Sequence, residues 1–219
     1  MWLDVARCGA VEYGRALAWQ EALLARRLDG GHDALLLLQH PAVYTLGRRA
    51  EERFLGVAAK GAVPVWRVGR GGEVTYHGPG QLVGYPIVHL AAFRPDLHWY
   101  LRLLEDVLIG TLGVFGVHGE RSVGRTGVWV GHRKIASIGI AVRRWVTWHG
   151  FALNVGADVS GFHAITPCGL EGVEMTSMAA EGAPADLDDV AAVVRDGFVA
   201  ALGYEGWRPL AQDPAETGS

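Results

Sequence analysis

The stretch GRGGEVTYHGPGQLVGYPIVHL (residues 69–90) combines many glycines with two short apolar runs. Val74 and Tyr76 alternate with polar residues, and a second run extends over residues 82–88. This pattern predicts a strand, a tight loop and a second strand. The glycines lack the closing Gly-Lys-Ser/Thr of a phosphate-binding loop and the spacing of a dinucleotide-binding fingerprint. The stretch therefore favours sheet structure over a nucleotide-binding loop.

Further elements are predicted on both sides of this stretch. Apolar runs bounded by turn residues predict six more strands, at 34–38, 43–46, 64–68, 123–130, 134–143 and 145–155. Helical spacing predicts three helices, at 11–28, 97–113 and 187–203. Asp96 and Asp186 are suited to cap the second and third helices, and Gly30-Gly31 is suited to end the first. Residues 50–63, which follow Arg48-Arg49, show little periodicity and are predicted to form a basic linker.

These elements favour the α/β (α+β) class. We predict a single domain over residues 1–210, built on a mostly antiparallel or mixed sheet with packed helices. Residues 211–219, AQDPAETGS, are predicted to form a flexible tail.

Composition narrows the class of protein. Half of the 219 residues are hydrophobic, a fifth are charged and the net charge is −3, which makes nucleic acid an unsuitable partner. We find no signal-peptide pattern and no apolar run of membrane-spanning length. Cys8 and Cys168 match no zinc or disulfide spacing, so free thiols and a cytoplasmic location are expected, with neither metal nor cofactor.

Cys168 is the candidate nucleophile. It lies between Pro167 and Gly169 in ITPCGLEGVEMTS (residues 165–177), a segment without helical or strand periodicity. Such framing favours a shaped loop, whereas the alternative is a small apolar residue of the core. Because the thiolate is the reactive form, a neighbouring group must stabilise its negative charge.

The candidate neighbours of this thiol are one lysine and three histidines. Lys134 begins a predicted strand beside small residues that leave room for a substrate, although a solvated lysine at a hairpin end would show the same pattern. His77 lies in the glycine-rich loop, where a functional and a turn-stabilising role are equally compatible with the sequence. His149 is compatible with a satisfied core histidine, and His163 completes the set. Taken alone, these residues support only a hypothesis of cysteine chemistry.

Four stretches, in order along the chain, resemble the octanoyltransferases of protein lipoylation, also called lipoate-protein ligase B or lipoyl(octanoyl) transferases. They are HPAVYTLGR (40–48), GRGGEVTYHGPGQLVGYP (69–86), GRTGVWVGHRKIASIGI (124–140) with WHGFALNV (148–155), and ITPCGLEGVEMTSM (165–178). The resemblance implies the fold of the biotin and lipoate ligase catalytic domain. It also implies transfer of an octanoyl group from octanoyl-acyl carrier protein to a lysine of a lipoyl domain, the first step of endogenous protein lipoylation. The acceptors would be 2-oxo-acid dehydrogenases and the glycine cleavage system protein.

The resemblance also implies roles for individual residues. Cys168 would form an acyl-thioester intermediate, and Lys134 would lower the pKa of its thiol. Substrate contacts would come from Arg70, Gly71, Gly72, Glu73, Val74, Thr75, Tyr76, His77, Ser137, Ile138, Gly139, Gly150, Phe151 and Ala152. We expect the acyl chain to lie near Val74, Tyr76 and Ile138, and either Lys134 or His77 to accept the proton of the incoming lysine.

The sequence leaves two questions open: where the carrier protein docks, and whether the chain is a transferase, a ligase or a binding module. Because carrier proteins are acidic, arginines near the mouth of the site are candidates for steering, unless they are ordinary surface charges; the candidates are Arg48, Arg49, Arg143 and Arg144. An ATP-dependent lipoate or biotin ligase shares the expected fold but needs no nucleophilic cysteine. A non-catalytic module that binds lipoyl domains is the remaining alternative.

Overall fold

The computed structural model of this chain describes residues 1–156, 158–166 and 172–210. Its strands are β1 Trp2–Ala10, β2 Ala34–Gln39, β3 Val43–Leu46, β4 Val65–Arg67, β5 Val74–His77, β6 Gln81–Ile87, β7 Glu120–Ser122, β8 Arg125–Val130, β9 Arg133–Arg143, β10 Val146–Asn154 and β11 Gly206–Pro209. Its α-helices are α1 Tyr13–Leu28, α2 Leu97–Val114 and α3 Leu187–Leu202. Short 3-10 helical segments occupy Glu52–Lys60, Leu90–Ala92 and Val159–Ala164. Every strand and helix predicted from the sequence is therefore confirmed, with ends shifted by up to two residues.

Two sheets organise the chain. Eight strands form a mixed sheet in the order β11-β1-β2-β6-β10-β9-β8-β7, in which β1 runs parallel to both of its neighbours and the other pairs are antiparallel. Three strands form a smaller sheet in the order β4-β3-β5. The predicted mostly antiparallel, mixed sheet is confirmed.

Strand β2 explains how the helices are distributed. Leu35 and Leu37 pack into a cluster with α2 and α3, whereas Leu36 and Leu38 pack into a separate cluster with α1. Successive side chains of a strand point to opposite faces, so helices cover both faces of the large sheet here. A strand buried on both sides does not alternate with polar residues, which accounts for the continuous apolar run in the sequence.

The glycine-rich stretch connects the two sheets. β5 and β6 lie on either side of a tight loop, as predicted, but they do not pair with one another. β5 pairs with β3 in the small sheet, and β6 pairs with β2 and β10 in the large sheet. At this loop the chain therefore returns from the small sheet to the large sheet.

The helix caps follow the sequence signals. Asp96 accepts a hydrogen bond from Trp99 N at 3.0 Å at the start of α2, and Asp186 accepts one from Asp188 N at 2.7 Å at the start of α3. After α1, Gly30 adopts a φ of 93°, a conformation that favours glycine. These three signals are confirmed. None of the described helices has the length and apolarity needed to cross a bilayer.

Four parts of the fold differ from the sequence prediction or were not predicted, and one of them is β7, a three-residue strand too short to give a periodic pattern. The basic linker is wrong in part, since the 3-10 segment Glu52–Lys60 buries Leu55 and Ala58 in a cluster beside the small sheet. β1 was not predicted, because the buried Asp4 interrupts its apolar pattern. The ion-pair partners of Asp4, Arg26 and Arg208, lie far away in sequence. The four-residue edge strand β11 is too short to give a periodic pattern. The predicted tail at 211–219 lies outside the described residues.

Candidate functional site

A cavity of about 550 Å³ is lined by residues of both sheets. The segment before β5 reaches β9 closely enough for Gly71 N to donate a hydrogen bond to Ile140 O at 2.8 Å. A Cβ on Gly139 would lie only 2.8 Å from Gly71 O, so no larger residue fits there without a shift of the backbone. Glycines therefore set the close approach of two backbone segments that form one wall of the cavity.

The structure brings almost all described candidate residues to this cavity. Those that line it are Lys134, Arg70, Gly71, Gly72, Glu73, Val74, Thr75, His77, Ser137, Ile138, Gly139, Gly150, Phe151 and Ala152. They come from four separate stretches, at 70–77, 134, 137–139 and 150–152. β9 and β10 are paired so that Gly150 lies opposite Gly139 and Ala152 opposite Ser137, which places the last two stretches side by side.

Tyr76 does not reach the cavity, unlike its neighbours Thr75 and His77. Alternation along β5 turns its ring to the opposite face, where it packs 5.3 Å from the ring of Tyr44 and 5.5 Å from that of Phe162. Tyr76 is thus part of the small-sheet cluster. Of the expected acyl-chain neighbours, the cavity retains Val74 and Ile138.

Cys168 lies outside the described residues, but both flanking segments are held in place. On one side, Thr166 N donates to Phe54 O at 2.8 Å. On the other, Glu174 O accepts from Lys134 N at 2.8 Å, and Thr176 N donates to Lys134 O at 2.9 Å. Where the described chain resumes at Gly172, it is therefore bonded to the backbone of Lys134 within two residues. His163, the other candidate in this region, is exposed within the segment Val159–Ala164.

Lys134 is buried in the cavity wall. Its side chain has 4% of its surface exposed, and Nζ lies 5.5 Å from the centre of the Trp129 ring. Gly127 makes room for it: a Cβ there would lie 2.7 Å from Lys134 Cε, and the φ of 121° at Gly127 also favours glycine. A solvated lysine at a hairpin end is thus excluded, because the side chain packs inside the protein.

Arg70 supplies a fixed positive charge to the same cavity. It is 8% exposed, and Nη2 donates to Thr45 O at 2.7 Å and to Thr45 Oγ1 at 2.8 Å. Nη1 donates to Gly71 O at 3.0 Å. These bonds join the glycine-rich segment to β3. Arg70 therefore holds this segment in place and also gives it a positive charge.

The hydrogen bonds of the buried histidines define their protonation. Gln81 uses its Nε2 to donate to Asn154 Oδ1 at 2.9 Å, so its Oε1, 2.7 Å from His77 Nδ1, must accept. His77 therefore carries its proton on Nδ1 and keeps Nε2 as an acceptor. Burial, followed by the charges of His40 and Arg70, lowers the pKa of His77 to about 3, so this ring is neutral at physiological pH.

His149 is an unusual residue of the cavity wall. It is 1% exposed and has a φ of 55°, which is uncommon for a residue with a side chain. Its ring stacks on Trp148 at 4.3 Å, and neither ring nitrogen has a hydrogen-bond partner within the described chain. Burial, followed by the charge of Arg70, lowers the pKa of His149 to about 3. The satisfied core histidine considered from the sequence is therefore wrong.

Sequence reasoning missed several lining residues. Tyr13 and Tyr85 come from α1 and β6, and Trp129 comes from β8. Each occupies a position that periodicity assigns to the core, which is why no local signal separates it from packing residues. Arg125 lies at the exposed start of β8 and borders the cavity together with Arg49.

Comparison with known proteins agrees with this fold. The family model "Lipoyl protein ligase A/B catalytic domain" matches residues 12–199. An octanoyltransferase from Gloeobacter violaceus is 56% identical over 164 residues, covering 74% of this chain and 73% of that protein. An octanoyltransferase from Synechococcus sp. is 47% identical over 219 residues, covering 93% and 84%. A solved bi-partite lipoate protein ligase from Thermoplasma acidophilum shares the fold, with a TM-score of 0.75 at 18% identity over 99% of this chain and 90% of that chain.

The match over residues 12–199 shows that this chain is a catalytic domain of the lipoyl protein ligase A/B class. Because the similar sequences are octanoyltransferases over most of their length, the chain belongs to the octanoyltransferases within that family and is an acyltransferase. The ligase structure shares only the fold at its low identity.

The three buried histidines should make the folded protein less stable at acidic pH. Burial lowers the pKa of His40 to about 4, and those of His77 and His149 to about 3, below the ordinary value of 6.5. The unfolded chain therefore binds more protons between about pH 3 and pH 6.5, so stability is present above that window and is lost as the pH falls through it. Between pH 7 and pH 5, each histidine should lower the free energy of unfolding by roughly 2 kcal/mol. Urea denaturation at the two values measures the loss.

The matched variants are His149→Asn and His98→Asn. Asparagine tolerates the positive φ at position 149, and His98 is exposed at the start of α2. The change at position 149 should reduce the difference between pH 7 and pH 5, and the change at position 98 should preserve it. An equal pH dependence in all three proteins would contradict the assignment.

Proposed function

We propose that this chain transfers an octanoyl group from octanoyl-acyl carrier protein to a lysine of lipoyl domains, through an acyl-thioester on Cys168. The observation that carries the proposal is the cavity in which a buried lysine, the glycine-rich segment 70–75 and the strand pair 137–139 and 150–152 meet. The proposed acceptors are lipoyl domains of 2-oxo-acid dehydrogenases and of the glycine cleavage system protein. We also propose a cytoplasmic location, in keeping with two cysteines that match no disulfide pattern.

The cavity suits a short acyl chain. Val74, Ile138, Phe151 and Ala152 are the apolar residues of the predicted contact set that line it. Each buried methylene contributes about 0.8 kcal/mol. Binding should therefore change gradually with chain length, and the glycines leave the reacting carbonyl close to backbone N–H groups.

The first step exchanges one thioester for another. The Cys168 thiolate attacks the carbonyl carbon of the donor, a new C–S bond forms, and the C–S bond to the carrier breaks. The carrier departs with its sulfur as a thiolate, which takes a proton from the Lys134 ammonium and leaves Lys134 as a neutral amine. Because a thioester replaces a thioester, the step is close to thermoneutral. The positive charge of Lys134 supports the attacking thiolate by opposite charge.

The second step forms an amide. The amine of the acceptor lysine attacks the acyl-enzyme, a C–N bond forms, and the C–S bond to Cys168 breaks. The nitrogen loses one proton to a base. His77 is poorly suited as that base, because its lowered pKa makes its protonated form a strong acid. The proposal therefore gives the proton to the neutral amine of Lys134. The two protein substrates bind in turn, which gives ping-pong kinetics.

The rival activity is ATP-dependent ligation on the same fold. Adenylate chemistry needs no nucleophilic cysteine, whereas the identity to octanoyltransferases, at 47% over 93% of this chain, favours direct transfer. Dependence on ATP separates the two activities.

The intact mass after incubation with octanoyl-acyl carrier protein, without ATP or acceptor, should increase by one octanoyl group. The adduct should be lost on hydroxylamine treatment and absent in Cys168→Ala. Cys8→Ala is the matched control, since Cys8 is 8% exposed and buried behind α1, and it should keep the adduct. No wild-type adduct, together with an adenylate formed from ATP and octanoate, would assign the protein to the ligases.

Replacement of Lys134 should slow the alkylation of Cys168 by iodoacetamide at pH 7 by roughly tenfold or more, because an adjacent opposite charge shifts a thiol by one to three pKa units. The variant is Lys134→Met, which keeps the apolar stem. The chain has one other lysine, the exposed Lys60, and Lys60→Met should alkylate at the wild-type rate. Unchanged alkylation in Lys134→Met would remove the assigned role.

Arg49 and Arg125 should steer the acidic carrier, because both are exposed and border the cavity. Arg49→Glu/Arg125→Glu should raise the KM for octanoyl-acyl carrier protein roughly tenfold at low salt and leave the KM for a small uncharged octanoyl thioester unchanged. Arg143→Glu/Arg144→Glu makes the same charge change at the exposed β9–β10 turn, outside the cavity lining. A larger effect of this second pair would locate docking at that turn.

A further inference from the structure

The segment Glu174–Ala179, which begins six residues after Cys168, is attached across the ends of β9 and β10. Its backbone hydrogen bonds run from Lys134 N to Glu174 O at 2.8 Å, from Thr176 N to Lys134 O at 2.9 Å, from Met178 N to Asn154 O at 3.0 Å and from Ala179 N to Val155 O at 2.9 Å. The residue that holds the cavity ammonium and the chain that follows the proposed nucleophile are therefore joined by main-chain bonds.

One side chain adds to this attachment from within the protein. Asn154, the last residue of β10, is 1% exposed, and its Nδ2 donates to Thr176 O at 2.9 Å. Thr176 is 2% exposed, so its carbonyl oxygen has little access to water. Removal of the Asn154 amide would leave this buried acceptor without its side-chain partner.

The amide of Asn154 is held in one orientation by a directional series of bonds. Its Oδ1 accepts from Gln81 Nε2 at 2.9 Å, and Gln81 Oε1 accepts from the His77 ring at 2.7 Å. Asn154 and Gln81 are opposite each other in the β10–β6 pair, so both side chains leave their strands at the same place. A flipped Asn154 amide would turn an oxygen toward Thr176 O and an NH₂ group toward the Gln81 donor, and both bonds would be lost.

We propose that Asn154 is a positioning residue for acyl transfer, which fixes the segment Glu174–Ala179 against Lys134 and thereby sets the approach of Cys168 to the Lys134 ammonium. The inference rests on the proposed function. Asn154 lies outside the cavity lining and acts through the segment, not on the acyl group. Since the attraction between two charges falls with distance, a loosened segment weakens the stabilisation of the thiolate.

The test compares Asn154→Ala, Asn154→Leu and Gln20→Ala with the wild type. Leucine keeps the branched shape of the side chain and removes its donor and acceptor without adding a charge. Gln20 is the matched control, a buried amide at 0% exposure that holds the other part of β10 by accepting from His149 N at 2.9 Å. The readouts are the pH profile of Cys168 alkylation, the kcat and KM for octanoyl-acyl carrier protein, and the melting temperature.

Both Asn154 variants should shift the midpoint of the alkylation profile upward by roughly one pH unit, part of the range that an adjacent charge produces. The kcat should fall roughly 10- to 100-fold with little change in KM, because misplacement of reacting groups by about 1 Å has effects of that size. Gln20→Ala should lower the melting temperature without moving the midpoint. If Asn154→Ala fails to fold, Asn154→Leu alone decides the outcome.

A wild-type midpoint in the Asn154 variants, with only the melting temperature lowered, would overturn the positioning role. Failure of the proposed function is a different result. In that case the wild type itself forms no octanoyl adduct, and Lys134→Met alkylates at the wild-type rate.

Discussion

The hydrogen bond from Gly71 N to Ile140 O is the contact on which the site depends, because it joins the segment before β5 to a central strand of the large sheet. The small sheet, through β5, and the large sheet, through β9 and β10, each supply one side of the cavity. Gly139 permits the approach, since a Cβ at that position would collide with Gly71 O. The cavity exists because two backbones come close where neither carries a side chain.

The part of the cavity wall around Arg70 combines a fixed positive charge with neutral histidine rings. Arg70 is held by Thr45 and contributes to the lowered pKa values of His77 and His149, for which burial is the larger cause. These rings therefore offer hydrogen bonds without gaining charge near neutral pH. An acyl thioester and an amide are neutral polar groups, and such a wall can orient them without a countercharge.

The sequence predicted the elements well, because β2, β6 and the three helices have strong apolar patterns. The motif residues converged on one cavity because the pairing of β9 with β10 places residues 137–139 beside residues 150–152. Prediction from the sequence failed for features that depend on residues far apart in the chain or on the face of a strand. The buried Asp4 conceals β1 until Arg26 and Arg208 are placed beside it, and Tyr76 belongs to a contiguous motif but faces the other side of its strand. In the sequence, Asn154 resembles any polar residue at the end of a strand. Its role is visible only once Gln81 is placed opposite it and Thr176 O accepts its hydrogen bond.

The position of β1 has a consequence for synthesis on the ribosome. β1 is translated before the other strands of its sheet, and one of its edges is covered by β2 soon afterwards, but its other edge pairs with β11, where Trp2 lies opposite Gly206. That second edge stays open until roughly two hundred further residues have been translated. An open edge is a template for pairing with other chains. The nascent chain therefore carries an exposed strand edge until β11, a strand of four residues, is translated and pairs with it.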